Sequence, residues 1–350
     1  MRIEGYWCDR IPGFLRELHA PLTEITLSLD RVVVDPASLL EDFKETLTIL
    51  ESDVSTNPCW SESRTVTYPA LRSLSFSLQS FFRTDVLISN YPNLQQLEAR
   101  LDQTAIDDTS IQQWRDRNKS SQLDELCQWR NLRLIWGDAA ALYCLAITGK
   151  VQYLYLNLWH PQDIEKVAEI CQDSRPTFFA LRSIDINICD IEMLTEIVVA
   201  APYHAMTLGF SLNASQLVIE HYLWNIATCF KNRPLRVLQL SFGWLPASNE
   251  EYSPSWKTWV CDYILQYPIH SLVESLARQA PKLQEVYVTL DVLHIKREEG
   301  YRVSHNQHDV IVEQLASEAF KEMKEMEESE HPMERRWGDS MTESSLPSLL

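Results

Sequence analysis

One pattern runs through this 350-residue chain and limits what it can become. It reads apolar-x-x-apolar-x-apolar-x-apolar, often with a proline just ahead. The first copies are Leu22-Ile25-Leu27-Leu29, Leu71-Leu74-Phe76-Leu78 and Leu94-Leu97-Ala99-Leu101. Trp129-Leu132-Leu134-Trp136, Val151-Leu154-Leu156-Leu158 and Leu181-Ile184-Ile186-Ile188 follow. Tyr203-Met206-Leu208-Phe210, Leu235-Leu238-Leu240-Phe242 and Leu283-Val286-Val288-Leu290 complete the set. Alternation with period two marks a half-buried strand, apolar on one face and polar on the other. Segments with helical spacing lie between: 37–51, 80–90, 139–147, 161–172, 191–201, 215–231 and 256–279. Pro161 suits the first turn of its helix, and Asp190 suits an N-cap. Prolines 69, 92, 202, 234 and 281 end helices and release the chain into the next strand.

A strand and a helix that each carry one apolar face cannot bury it alone. Stacked neighbours bury both, so the pattern predicts an α/β solenoid with a parallel sheet on its concave side and helices on its convex side. The copies begin 49, 23, 35, 22, 30, 22, 32 and 48 residues apart. The short spacings match the unit length of a leucine-rich repeat, and the longer ones admit larger helices or loops. A doubly wound sheet also alternates strand and helix, but its strands are apolar on both faces. The polar alternate positions therefore favour a leucine-rich-repeat solenoid of irregular repeat length. It is expected over 18–292, after an N-terminal segment 1–17. Long polar loops are expected over 52–67, 102–126 (with a short helix) and 246–255. Helical spacing over 306–328 predicts a C-terminal capping helix region within 293–328, and 329–350 reads as a disordered acidic tail.

Composition removes several function classes. The formal charge of −18 disfavours a nucleic-acid backbone as partner. No two of the eight glycines form a GxG, so a phosphate-cradling loop is not expected. No apolar run reaches the roughly 20 residues that span a bilayer, and the N-terminus lacks the layout of a signal peptide. Those observations favour a cytoplasmic or nuclear protein. Eight scattered cysteines without a CxxC read as reduced and structural. His305-x-x-His308-Asp309 is the one metal-like spacing and lacks further ligands. No catalytic motif is present, so no catalytic, cofactor or metal residues are expected, and the chain reads as a non-enzyme.

The PxLxxLxLxL strands, uneven helices and abundant Trp resemble the leucine-rich-repeat region of fungal F-box proteins. Flanking stretches such as YPALRSLSFSL, YPNLQQLEARL, RPLRVLQLSF and APKLQEVYVTL carry the likeness over about residues 18–292. In that family an N-terminal F-box docks on Skp1 of a cullin–RING ubiquitin ligase, and the repeats hold the protein to be ubiquitinated. The resemblance thus implies substrate recognition for such a ligase. This chain departs from the family at its N-terminus, where no F-box segment is visible. Skp1 is therefore an expected partner only if an F-box lies upstream.

The concave face would then bind a protein partner. Its expected outward positions are Asn131, Arg133 and Ile135, then Tyr153, Tyr155, Asn157 and Trp159, then Ser183, Asp185 and Asn187. Aromatic and arginine side chains dominate binding hot spots. Arg133, Tyr153, Tyr155, Asn157, Trp159 and Asp185 are accordingly the candidate partner-binding residues. Trp129 and Trp136, at pattern positions, and the helical Trp224, Trp256 and Trp259 are expected in the core. The alternative function is a stand-alone scaffold or inhibitor whose acidic face grips a basic protein, without a ligase connection.

Overall fold

The computed structural model describes residues 1–6, 10–18, 20–30, 39–54, 66–78, 83–101, 108–123, 128–158, 162–200, 203–212, 215–243, 254–292, 295–306 and 309–316. Its strands are β1 Arg2–Tyr6, β2 Glu24–Asp30, β3 Ile49–Val54, β4 Ser73–Leu78, β5 Gln96–Leu101, β6 Leu134–Asp138 and β7 Tyr153–Asn157. They continue with β8 Phe178–Asp185, β9 Ala205–Ser211, β10 Val237–Gly243, β11 Glu285–Val292, β12 Ile295–His305 and β13 Val310–Gln314. The helices are α1 Arg10–Glu17, α2 Thr84–Asn90, α3 Asp108–Ser121, α4 Ala139–Leu145, α5 Asp163–Ser174, α6 Ile191–Val199, α7 Gln216–Asn225, α8 Pro254–Gln266 and α9 Ile269–Gln279.

One row of side chains shows why these strands assemble. Ile25, Leu50, Leu74, Leu97, Ile135, Leu154, Phe179, Met206, Leu238 and Val286 stand opposite one another, one per strand from β2 to β11. None is more than 1% exposed. Each buried Leu or Ile contributes about 1.5–3 kcal/mol, so a single slip in register would forfeit an entire row. All thirteen strands join one sheet in strict sequence order. Strands β1 to β11 are parallel; β12 folds back antiparallel to β11, and β13 pairs antiparallel with β12. The first and last strands do not meet, so the sheet is open. A doubly wound sheet reverses its order at a switch point, and this one never does. The molecule is mixed α/β and solenoid-like.

The described helices pack on one side of the sheet. Their buried residues share a single cluster with the core row above, including Leu142, Ile170, Leu194, Tyr222 and Leu276. None of them joins the small cluster on the other side. The helix ends are defined locally. Asp190 accepts the Met193 amide at 2.8 Å as the N-cap of α6, as expected. Ala146 and Arg175 take left-handed conformations after α4 and α5 and turn the chain back to the sheet. At the C-terminal end Arg297 Nη1 donates to the Leu265 and Tyr267 carbonyls at 3.1 and 2.9 Å, tying the hairpin to the end of α8. Among the described residues no helix is long and apolar enough to cross a membrane.

Several expectations need correction. Residues 49–54, the junction of the expected 37–51 helix and the 52–67 loop, are strand β3, preceded by a single 3-10 turn at Glu41–Phe43. The pattern is present there as Leu47-Leu50-Ser52-Val54, with a buried Ser in the place of the leucine that would have exposed it. Residues 2–6 add strand β1 ahead of the first expected repeat. The short helix expected within the polar stretch 102–126 is 14 residues long, α3. The helix expected over 306–328 is strand β13 at Val310–Gln314, and its remainder from 317 lies outside the described residues, as does the tail 329–350. Trp224 is 79% exposed rather than in the core.

Candidate functional site

Strands β6, β7 and β8 differ from the rest on the side away from the helices. In-register neighbours there are Leu134, Tyr153 and Phe178 in one row, and Trp136, Tyr155 and Ala180 in the next. Together they form a second hydrophobic cluster, separate from the main core. Ring centroids are 6.1 Å apart for Trp136–Tyr155, 5.5 Å for Tyr155–Phe178 and 5.8 Å for Tyr153–Phe178, all tilted. These are favourable aromatic separations. Strand spacing of about 4.8 Å lets the rings shield one another, so Trp136 and Tyr155 are buried while Tyr153 and Phe178 stay half-buried. The Tyr153 hydroxyl accepts a bond from Gln152 Nε2 at 2.9 Å.

A polar border adjoins the aromatic patch. Glu98 on β5 stands opposite Trp136 and is only 2% exposed. Ser75 Oγ donates to its Oε2 at 2.9 Å, and Arg100 Nε donates to its Oε1 at 2.8 Å. Burial pushes the Glu98 carboxyl above the usual carboxylate range, while Arg100 and Ser75 pull it back. Further along the same row, on β2 and β3, Thr26 Oγ1 donates to Glu51 at 2.9 Å. Asp138 at the end of β6 accepts the Leu101 amide at 2.9 Å, where β5 and β6 have stopped pairing. Between Trp136 and Asp138 lies Gly137, with φ +155°; a Cβ there would come 1.9 Å from the Ala99 carbonyl oxygen. Glycine thus lets β5 and β6 approach and sets Trp136 beside Glu98.

The expected site residues are placed as follows. Tyr153 and Tyr155 lie in the cluster. Arg133 is exposed in the position just before β6, and Asn157 is half-buried at the end of β7, opposite Asp138. Asp185 ends β8, where its carboxylate accepts the Asn187 amide at 2.9 Å and organises a turn. Trp159 lies outside the described residues. Ile135, expected outward, is a core residue, and Leu134 and Trp136, expected inward, form the patch. The true pattern in β6 is Leu132-Ile135-Gly137, one residue out of phase with the expected one. Phe178 and Ala180 were missed because β8 begins three residues before the expected strand. Unbroken apolar runs, Leu134-Ile135-Trp136 and Phe178-Phe179-Ala180-Leu181, were the available sign that both faces are apolar there.

Elsewhere the polar groups serve the fold. Burial pushes the thiols of Cys144, Cys171 and Cys189 up to about 12. Among the described residues no three His, Cys, Asp or Glu converge to hold a metal ion. A cavity lined by Arg115, Ile135, Leu142 and Asp173 has room for about one water. The chemistry this geometry offers is therefore burial of aromatic surface beside fixed polar groups. Comparison with protein-family models, curated proteins and solved structures finds no match.

Proposed function

We propose that the chain is a protein-binding solenoid of the leucine-rich-repeat type, gripping its partner on the face of β6 to β8. The observation that carries this reading is the aromatic cluster Trp136, Tyr153, Tyr155 and Phe178 on the side that no described helix covers. Four rings at that place do nothing for the helix–sheet core. Rigid rings with hydroxyl handles are the groups that dominate protein interfaces. By its resemblance to fungal F-box proteins, the solenoid would hold the substrate of a cullin–RING ubiquitin ligase, with Skp1 as a partner only if an F-box is present upstream.

The test compares proximity labelling by the full chain with that by a Tyr153→Ala, Phe178→Ala double variant. A partner identified with the full chain is expected to bind the variant at least 30-fold more weakly, about 2 kcal/mol. Undiminished binding removes the face from consideration. Skp1 and cullin in the labelled set support the ligase reading. Their repeated absence ends that reading and leaves partner binding standing.

A further inference from the structure

Every described turn that leads into strands β6 to β11 lacks an acid: residues 128–133, 146–152, 174–177, 203–204, 230–236 and 280–284. The same turns present Arg130 and Arg133 before β6, Lys150 before β7, Arg175 before β8, Arg236 before β10 and Lys282 before β11. All six are exposed, and none has an ion-pair partner among the described residues. Several other described lysines and arginines are paired, as in Arg83–Asp85, Lys166–Asp163 and Arg278–Glu274. On a chain of charge −18, a run of unneutralised cations along one edge is not an average surface.

The turns stack into one continuous rim. Arg133 accepts the Gln152 amide, Gln152 the Phe178 amide, Thr177 the His204 amide, His204 the Arg236 amide and Arg236 the Gln284 amide, at 2.8–2.9 Å. Four strand spacings separate Arg133 from Arg236, roughly 19 Å. The helix dipole does not account for these charges. Its attraction for cations is confined to the last helical turn. Neither α4 nor α5 has a basic residue in its last turn, and neither does the 3-10 segment Ile226–Phe230. The cations sit beyond the caps, at the threshold of the sheet.

The aromatic patch begins one residue inside this rim: Leu134 follows Arg133, and Phe178 lies three residues after Arg175. The acidic side chains beside the patch are already engaged, Glu98 by Arg100 and Glu51 by Thr26. We infer that the partner presents a short extended acidic segment to the rim, with an apolar or aromatic side chain beside it that enters the patch. This rests on the proposed binding face and names the chemistry of what binds there. An acidic protein segment fits better than a nucleic acid, because the net negative charge repels a long polyanion while a short one meets only the local rim.

The experiment uses the full chain and three fluorescent probes, followed by anisotropy over a salt series. The probes are a synthetic dodecapeptide of Glu and Asp interspersed with Trp and Leu, the same peptide with Lys for every acid, and a single-stranded oligoribonucleotide. The acidic peptide is expected to bind tightest and to weaken with salt. Arg130→Glu, Arg133→Glu and Arg236→Glu together are expected to weaken it by about tenfold, with unchanged circular dichroism. Equal or better binding of the Lys peptide, tighter binding of the oligoribonucleotide, no effect of the triple reversal, or no binding of the acidic peptide would each overturn the inference. Phe178→Ala distinguishes the two claims. If it weakens peptide binding while the triple reversal does not, the face survives and the rim falls.

Discussion

Gly137 does the work of a larger residue by being absent from its own place. Its position in the second core row is occupied by Leu156, Leu181, Leu208 and Leu240 on later strands. Toward the N-terminus the row runs Gly137, Ala99, Phe76, Ser52 and Leu27. The small members let β5 and β6 close up, and the closeness seats Trp136 beside Glu98. Gly137→Ala puts a methyl group against the Ala99 carbonyl with no flexible neighbour to yield. It is expected to cost about 2–4 kcal/mol in urea unfolding. It should also alter Trp136 fluorescence, whereas a loss of stability without that optical change would place the strain elsewhere. These small residues also explain where the repeat was hard to read. Leucine positions announce themselves, and a serine at 52 or a glycine at 137 does not.

The elements were legible in proportion to how well their apolar positions alternate. Strands β4, β5, β9 and β10 fall where the pattern puts them, since each has polar side chains on its second face. The aromatic patch hid the phase of β6 for the opposite reason, being apolar on both faces. The length of helix α3 was hidden because its buried side is polar. Arg115 pairs with Asp173 at 2.6 Å and stacks over the Tyr143 ring. Asn118 accepts the Thr84 amide at 3.0 Å and donates to the Cys144 carbonyl at 2.9 Å, and Gln122 donates to the Ala146 carbonyl at 2.9 Å. A stripe of Arg, Asn and Gln eight residues long looks like a solvated surface in sequence, yet it seals the start of α2 and the end of α4. Asn118→Ala would leave two buried backbone groups without partners, each worth about 1–3 kcal/mol. Native-state hydrogen exchange should show the Thr84 amide opening first. If that amide remains as protected as before, the clamp is not what holds it.

Across the described residues the strands pair only with their sequence neighbours, so stability is close to a sum of local terms. Some of those terms share a dependence on pH. Cys144, Cys171 and Cys189 have thiols raised from 9.0 to about 12 by burial, and burial raises the Tyr203 and Tyr222 phenols too. In the unfolded chain those groups ionise first. Their contribution is thus whole below about pH 9 and is lost as the pH climbs toward the raised values. The urea midpoint is expected to fall steadily between about pH 9 and 11. The same three thiols should resist alkylation at neutral pH until the chain is unfolded, read peptide by peptide by mass spectrometry. A flat midpoint with early alkylation would mean those repeats open readily.

The return of β12 alongside β11 carries an implication for how such a chain can lengthen. A parallel coil offers the same edge after every turn and could accept another unit indefinitely. Reversal of direction withdraws that edge: the hydrogen-bonding row of β11 is consumed by a strand running the other way, and Arg297 bolts the reversal to α8. A further repeat therefore cannot pair with β11 while the hairpin stays in place; it must enter within the array or pair with β13, which again runs in the direction of β11.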